Sequence, residues 1–116
     1  MKSGMWVNLL KETLEIFEKY GYREDNVSYV KVPIRNKRFC ANISWEEFKE
    51  NIKDINYDPG YGLQEISGQL QIVFTNGNFL ERREYDGSEW WQLVCIPIVG
   101  ATTVPFDKNT MYIKTE

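Results

Sequence analysis

The sequence predicts an α+β fold: a curved antiparallel β-sheet, formed by an N-terminal hairpin and a three-stranded C-terminal meander, packed against two helices. Three observations carry this. Residues 4–20 repeat apolar side chains at helical spacing, Ser44 opens a second helix with its own capping signal, and the apolar run from Leu63 to Ile98 is punctuated by Asn76-Gly77 and Asp86-Gly87. Those two dipeptides readily supply the positive φ that tight hairpin turns require. The order is α-β-β-α-β-β-β with a short last strand. At 116 residues the chain has the length of one domain, and residues 1–116 are read as such.

Composition is that of a globular protein, with 42% hydrophobic and 27% charged residues, which argues against disorder. The net charge of -3 weighs against general nucleic-acid affinity, so a nucleic-acid partner is the least expected. Charge is nonetheless uneven. Lys31, Arg35, Lys37 and Arg38 form a basic patch with no acid between them, whereas the stretch from Ser44 to Glu65 is acidic. The start, MKSGMWVNLLKETLEIF, has too short an apolar run and too many charges for a signal peptide, and no segment has the length of a membrane span. The expected location is cytoplasmic. Cys40 and Cys95 show no metal spacing and are expected to be buried thiols.

In the first helix Trp6, Leu10, Leu14 and Phe17 form the apolar stripe, widened by Leu9, Ile16 and Tyr20. Lys11, Glu12, Glu15, Glu18 and Lys19 take the polar side; Ser3 is the expected N-cap and Gly21 the C-terminal stop. Val27 to Ile34 and Arg38 to Ile43 follow as a hairpin about Arg35-Asn36-Lys37, with Pro33 marking a sheet edge or a strand end. Ser44 and Glu47 then make a capping box, and Ile43 with Phe48 a hydrophobic staple. Trp45, Phe48, Ile52 and Ile55 line one face of that second helix. Thr110 to Lys114 is the expected short final edge strand.

Asp54, Asn56, Asp58 and Glu65 match positions one, three, five and twelve of a calcium loop. Position six, which needs glycine, is Pro59, whose φ is fixed negative, so Asp58-Pro59-Gly60-Tyr61-Gly62 reads as a turn-rich connector. There is no histidine, phosphate loop or nucleophile elbow. Neither a metal nor a cofactor is implied, no residue is assigned as catalytic, and the expectation is a protein without enzymatic activity.

Candidate binding residues come from the meander. A two-residue loop at Asn76-Gly77 would turn Glu81 and Arg83 onto the apolar side, opposite Ile72 and Leu70, as an ion pair or the polar centre of a pocket. A three-residue bulged loop would instead pair Ile72 with Leu80 and relieve the conflict. Trp90 and Trp91 must point to opposite sides of their strand. One serves the core, and the other is expected to stack on Arg82 or Arg83 or to anchor a partner. With Tyr85, these residues are the candidate site.

The element order resembles that of cystatin-like and NTF2-like folds, an analogy of layout alone. Three functions follow in order of preference. The first is a small non-enzymatic interaction or regulatory protein, immunity-like in kind, binding a protein partner through its acidic helix face or tryptophan-bearing sheet face. A homodimer is reasonable for such a face. The second is a small-molecule pocket protein, a lyase or isomerase, using Glu81 or Tyr85 as acid or base and Arg83 as anion holder. The third, an RNA or single-strand binder, would use Lys31, Arg35, Lys37, Arg38, Arg82 and Arg83.

Overall fold

The computed structural model describes residues 6–60, 66, 68–97 and 106–113. Its elements in chain order are β1 (Val7–Asn8), α1 (Leu9–Tyr20), β2 (Val27–Pro33), β3 (Cys40–Ile43), α2 (Trp45–Ile52), β4 (Asn56–Tyr57), β5 (Gln71–Phe74), β6 (Phe79–Tyr85), β7 (Ser88–Val94), β8 (Phe106–Asp107) and β9 (Tyr112–Ile113). The class is α+β. Hairpin and meander join through the β2–β5 pair into one five-stranded antiparallel sheet, in the order β3-β2-β5-β6-β7. Two small ribbons, β1-β4 and β8-β9, stand apart from it.

The first helix is shorter than its apolar periodicity suggests. Ser3 lies outside the described residues, and the N-cap is Asn8, whose side chain accepts from the Lys11 N–H at 2.9 Å. Asn8 also donates through Nδ2 to the Lys53 carbonyl at 2.8 Å, and β1 pairs with β4, so the helix start is tied to the segment after α2. That pairing ends the helix pattern early: Trp6 precedes the strand and is exposed. Gly21 terminates α1 at φ 77, with the N–H groups of Gly21 and Tyr22 bonding the Glu18 and Phe17 carbonyls. This is a Schellman close, which needs a residue tolerant of the left-handed region. The buried line of α1 is Leu9, Thr13 and Phe17, with Leu10, Leu14 and Ile16 only half-buried. A threonine thus holds the centre of the stripe, and Tyr20 lies outside it.

Ser44 caps α2 by accepting from the Glu47 N–H at 3.1 Å, and Trp45, Phe48 and Ile52 are buried. Ile55 is past the helix end and partly exposed. Both helices cover one face of the sheet, where Val30, Ile72, Phe74, Leu80 and Trp91 are nearly inaccessible. The aromatic seam is tight: the Phe17 ring lies 5.2 Å from Trp45 and 5.3 Å edge-on from Phe74, and Tyr22 stacks on Phe74 at 3.7 Å.

The meander's first strand begins only at Gln71, with Ile66 and Leu70 contributing to the core before it. Its first turn is the three-residue loop Thr75-Asn76-Gly77. Val73 pairs with Phe79 and Ile72 with Leu80, Gly77 has φ 92, and the Gly77 N–H bonds the Phe74 carbonyl at 2.9 Å. Of the two registers the sequence allows, the bulged one is formed. The final strand, β9, pairs with β8 and not with the main sheet.

The expectation of two buried thiols needs correcting. Cys40 is half-buried on the edge strand and Cys95 is exposed just beyond β7; both are free thiols. The calcium-like segment runs through β4, and the Asp58 carboxylate accepts the Gly60 N–H at 2.9 Å in a local turn. Glu65 lies outside the described residues.

The Gly77 turn makes a direct test. Its φ disfavours any side chain, and a Cβ there would strike Ile96 Cδ1. Gly77→Ala is expected to lower stability by about 1–2 kcal/mol, read as a lower urea midpoint at unchanged m.

Candidate functional site

The second turn of the meander determines what the core contains. Asp86 and Gly87 take φ 52 and 86, a two-residue loop that pairs Tyr85 with Ser88. Counting back, Glu84 opposes Glu89, Arg82 opposes Trp91, and Leu80 opposes Leu93. Because strand side chains alternate, the burial of Leu80 carries Arg82 inward too, together with Trp91 and Glu89. The result is an arginine whose side chain has no solvent exposure.

That guanidinium is met from three elements. Arg82 Nη1 donates to Glu12 of α1 at 3.0 Å; Nη2 donates to the Tyr57 hydroxyl of β4 at 2.9 Å and, at 3.5 Å, to Glu89 of β7. Its carbon lies 4.8 Å from the Trp91 ring centre and 5.3 Å from that of Tyr57. The Tyr57 hydroxyl in turn donates to the Glu12 carboxylate, 2.7 and 2.8 Å from its two oxygens. Glu89 is fully buried and accepts the Ile66 N–H at 2.9 Å. The Trp91 indole N–H donates to Thr13 Oγ1 at 2.9 Å, and that hydroxyl donates to the Leu9 carbonyl at 2.7 Å. This accounts for the threonine in the apolar stripe of α1: it satisfies a buried indole. Among the described residues only Arg82 Nε is a buried side-chain polar atom without a partner.

The electrostatics favour structure over chemistry. Burial raises the Tyr57 pKa well above the ordinary tyrosine range, the Glu12 hydrogen bond raises it further, and Arg82 only partly opposes this. Tyr57 therefore holds its proton and is a poor acid. Arg82 and Glu89 are sealed from solvent, and among the described residues the network reaches the surface only at Glu12. There Glu12 borders an open cleft of about 410 Å³ with Trp6, Asn8, Lys11 and Glu15.

The six sequence candidates separate onto two faces. Arg82 and Trp91 are core residues of this network, so the cation–π contact is made by the buried tryptophan and not by the exposed one. Glu81, Arg83, Tyr85 and Trp90 occupy the opposite face, away from both helices. There Glu81 and Arg83 are ion-paired, Arg83 lies across from Trp90, and Tyr85 is 76% exposed against 37% for Trp90. Glu81 and Arg83 are thus not turned inward, which follows from the bulged register. Sequence reasoning missed Glu12, Thr13, Tyr57 and Glu89. Glu89 had a signal, since the Asp86-Gly87 loop alone places it on the face of Arg82 and Trp91.

Elsewhere, an open apolar cavity of about 380 Å³ lies between α2 and the sheet, its described lining including Val32, Ile43, Phe48, Ile52 and Leu70, with Asn51 at its edge. Glu24 accepts from the Trp45 indole at 2.8 Å and pairs with Lys49 at 2.7 Å. Lys49 first, then Trp45, holds the Glu24 carboxyl below the usual range. No group of three or more metal-ligating residues is gathered among the described residues, and none of the described helices is long and apolar enough to cross a membrane. Comparison with protein-family models, curated proteins and solved structures gives no match to this chain.

Removing Arg82 leaves two carboxylates around an empty site. Arg82→Ala is expected to destabilise by about 3–5 kcal/mol in urea titrations. Tyr57 makes an alkaline prediction. Because its folded pKa lies above the unfolded value, its stabilisation is complete below pH about 10 and is lost as pH rises toward the folded value. Between pH 10 and 12 the wild type should lose more stability than Tyr57→Phe, as measured by urea midpoints at each pH.

Proposed function

We propose that this protein is a small, non-enzymatic interaction domain whose binding surface is the helix-free face of the five-stranded sheet. One observation carries the proposal: exposed Trp90 and Tyr85 stand beside Arg83 and Glu81 on that face, while Arg82 and Glu89 of the buried ionic network have no solvent exposure. Tryptophan, tyrosine and arginine are the side chains that most often anchor protein interfaces. The acidic back of α2 is a weaker candidate, since Glu50 is paired with Lys53 and neighbouring Lys49 with Glu24. A regulatory or immunity-like role suits a binder without chemistry of its own. A cytoplasmic location belongs to the same proposal, supported by two free thiols, one of them exposed.

The apolar cavity beside α2 favours a second reading, that of a small-molecule binder. Its described lining supplies no acid or base, so it supports binding without lyase or isomerase chemistry. For nucleic acid, the cationic set loses Arg82 to the core, and the acidic Glu81 stands beside Arg83 on the sheet face.

The test is capture on immobilised protein from a lysate of the source organism, comparing wild type with Trp90→Ala/Tyr85→Ala. Partners held by the wild type should be lost or reduced at least about tenfold with the double variant. Equal retention by both baits, with near-ultraviolet dichroism from Trp91 showing both folded, would overturn the assignment of this face.

A further inference from the structure

The helix-free face has an internal order that names a partner. We propose that it docks on a second copy of the chain, face to face, about a two-fold axis that passes over β6 at Arg82. This rests on the sheet face being the interaction surface.

The outward residues of β6 are, in sequence, Phe79, Glu81, Arg83 and Tyr85. They read aromatic, acid, base, aromatic, and reversal of the strand yields the charge complement of the same order. A two-fold axis lying between two stacked sheets, perpendicular to the strands, sets one β6 antiparallel over the other. Centred at Arg82, it places Glu81 over the partner's Arg83, Arg83 over the partner's Glu81, and each Phe79 over the partner's Tyr85. The ion pair now within one chain becomes a four-charge network with no net charge, so closing the interface leaves no unpaired charge on β6.

The neighbouring strand agrees. Register pairs Arg83 with Trp90 and Glu81 with Gln92, so the same axis lays the Trp90 indole over the partner's Gln92 amide and Val94 over the partner's Ser88. Phe79 and Val94 are half-buried neighbours at one end of this face, and the axis lays them over the partner's Tyr85 and Ser88. About an axis at Arg82 the seven-residue strands β6 and β7 overlie the partner along their whole length, whereas the four residues of β5 lie entirely on the Phe79 side, so the stacked sheet area is roughly 250 Å² per copy. That is small for specific association and fits a weak dimer that exchanges with monomer.

The experiment is sedimentation velocity over a concentration series. Wild type should pass from monomer to dimer. Glu81→Arg alone and Arg83→Glu alone place like charges face to face, and each should raise the dimerisation midpoint at least about tenfold. An equimolar mixture of those two variants should dimerise again, as should the double exchange Glu81→Arg/Arg83→Glu, whose pattern is again self-complementary. Single variants that associate as well as wild type would overturn the proposal, as would a wild type that stays monomeric throughout. If the wild type is monomeric but Trp90→Ala/Tyr85→Ala still loses captured partners, the occupant is another protein and only the self-association is wrong. If both results are negative, the assignment of the face falls with it.

Discussion

Everything else in this fold accommodates one buried guanidinium. An arginine without solvent exposure is tolerable only where its charge is matched and its donors are met. Arg82 achieves this by drawing in Glu12 from the first helix, Tyr57 from the connector after the second, and Glu89 and Trp91 from the neighbouring strand. Those partners fix where α1 lies over the sheet and why the chain after α2 folds back. The β1-β4 ribbon, only two residues per strand, places Tyr57 below the helix that carries Glu12. Such a cluster is weak as a source of net stability, because the desolvation of its ions offsets most of their attraction. It is strong as a constraint, since a misplaced helix or strand would strand a buried charge.

The same alternation that drives Arg82 inward leaves Glu81 and Arg83 outside. One sheet therefore carries two charge arrangements with different consequences. The inner one is closed, hydrogen-bonded and anchored by residues distant in sequence. The outer one is a short ion pair among aromatic and amide side chains, on the face without helices. A face of that kind suits recognition, because its charges are satisfied within the chain yet open to exchange with a partner's.

Much of the architecture was legible because its causes are local. Gly21 closes α1, Ser44 caps α2, and Asn76-Gly77 and Asp86-Gly87 turn the meander, each through backbone geometry that depends on neighbouring residues alone. The first turn was ambiguous because an Asn-Gly pair serves both a two-residue loop and a three-residue bulged one. One residue of slip exchanges the faces of a whole strand, so that ambiguity extended to every charge on β6. The site was less legible. Glu12 fell on the polar side of a helical wheel, Thr13 was hidden inside an apolar stripe, and Tyr57 lay in a connector that resembled a calcium loop.

The sequence by itself determined the class, the two helices, the hairpins and the requirement that Trp90 and Trp91 part to opposite faces, because periodicity, capping and turn chemistry act over a few residues. Only the tertiary structure decided that Trp91 and not Trp90 takes the core, that Arg82 is the buried charge, and that Glu81 and Arg83 face outward. Its reason is physical: Glu89 is set beside Arg82 by the local hairpin, but Glu12 and Tyr57, which also make burial of Arg82 tolerable, lie 70 and 25 residues away, and no local pattern brings them to it.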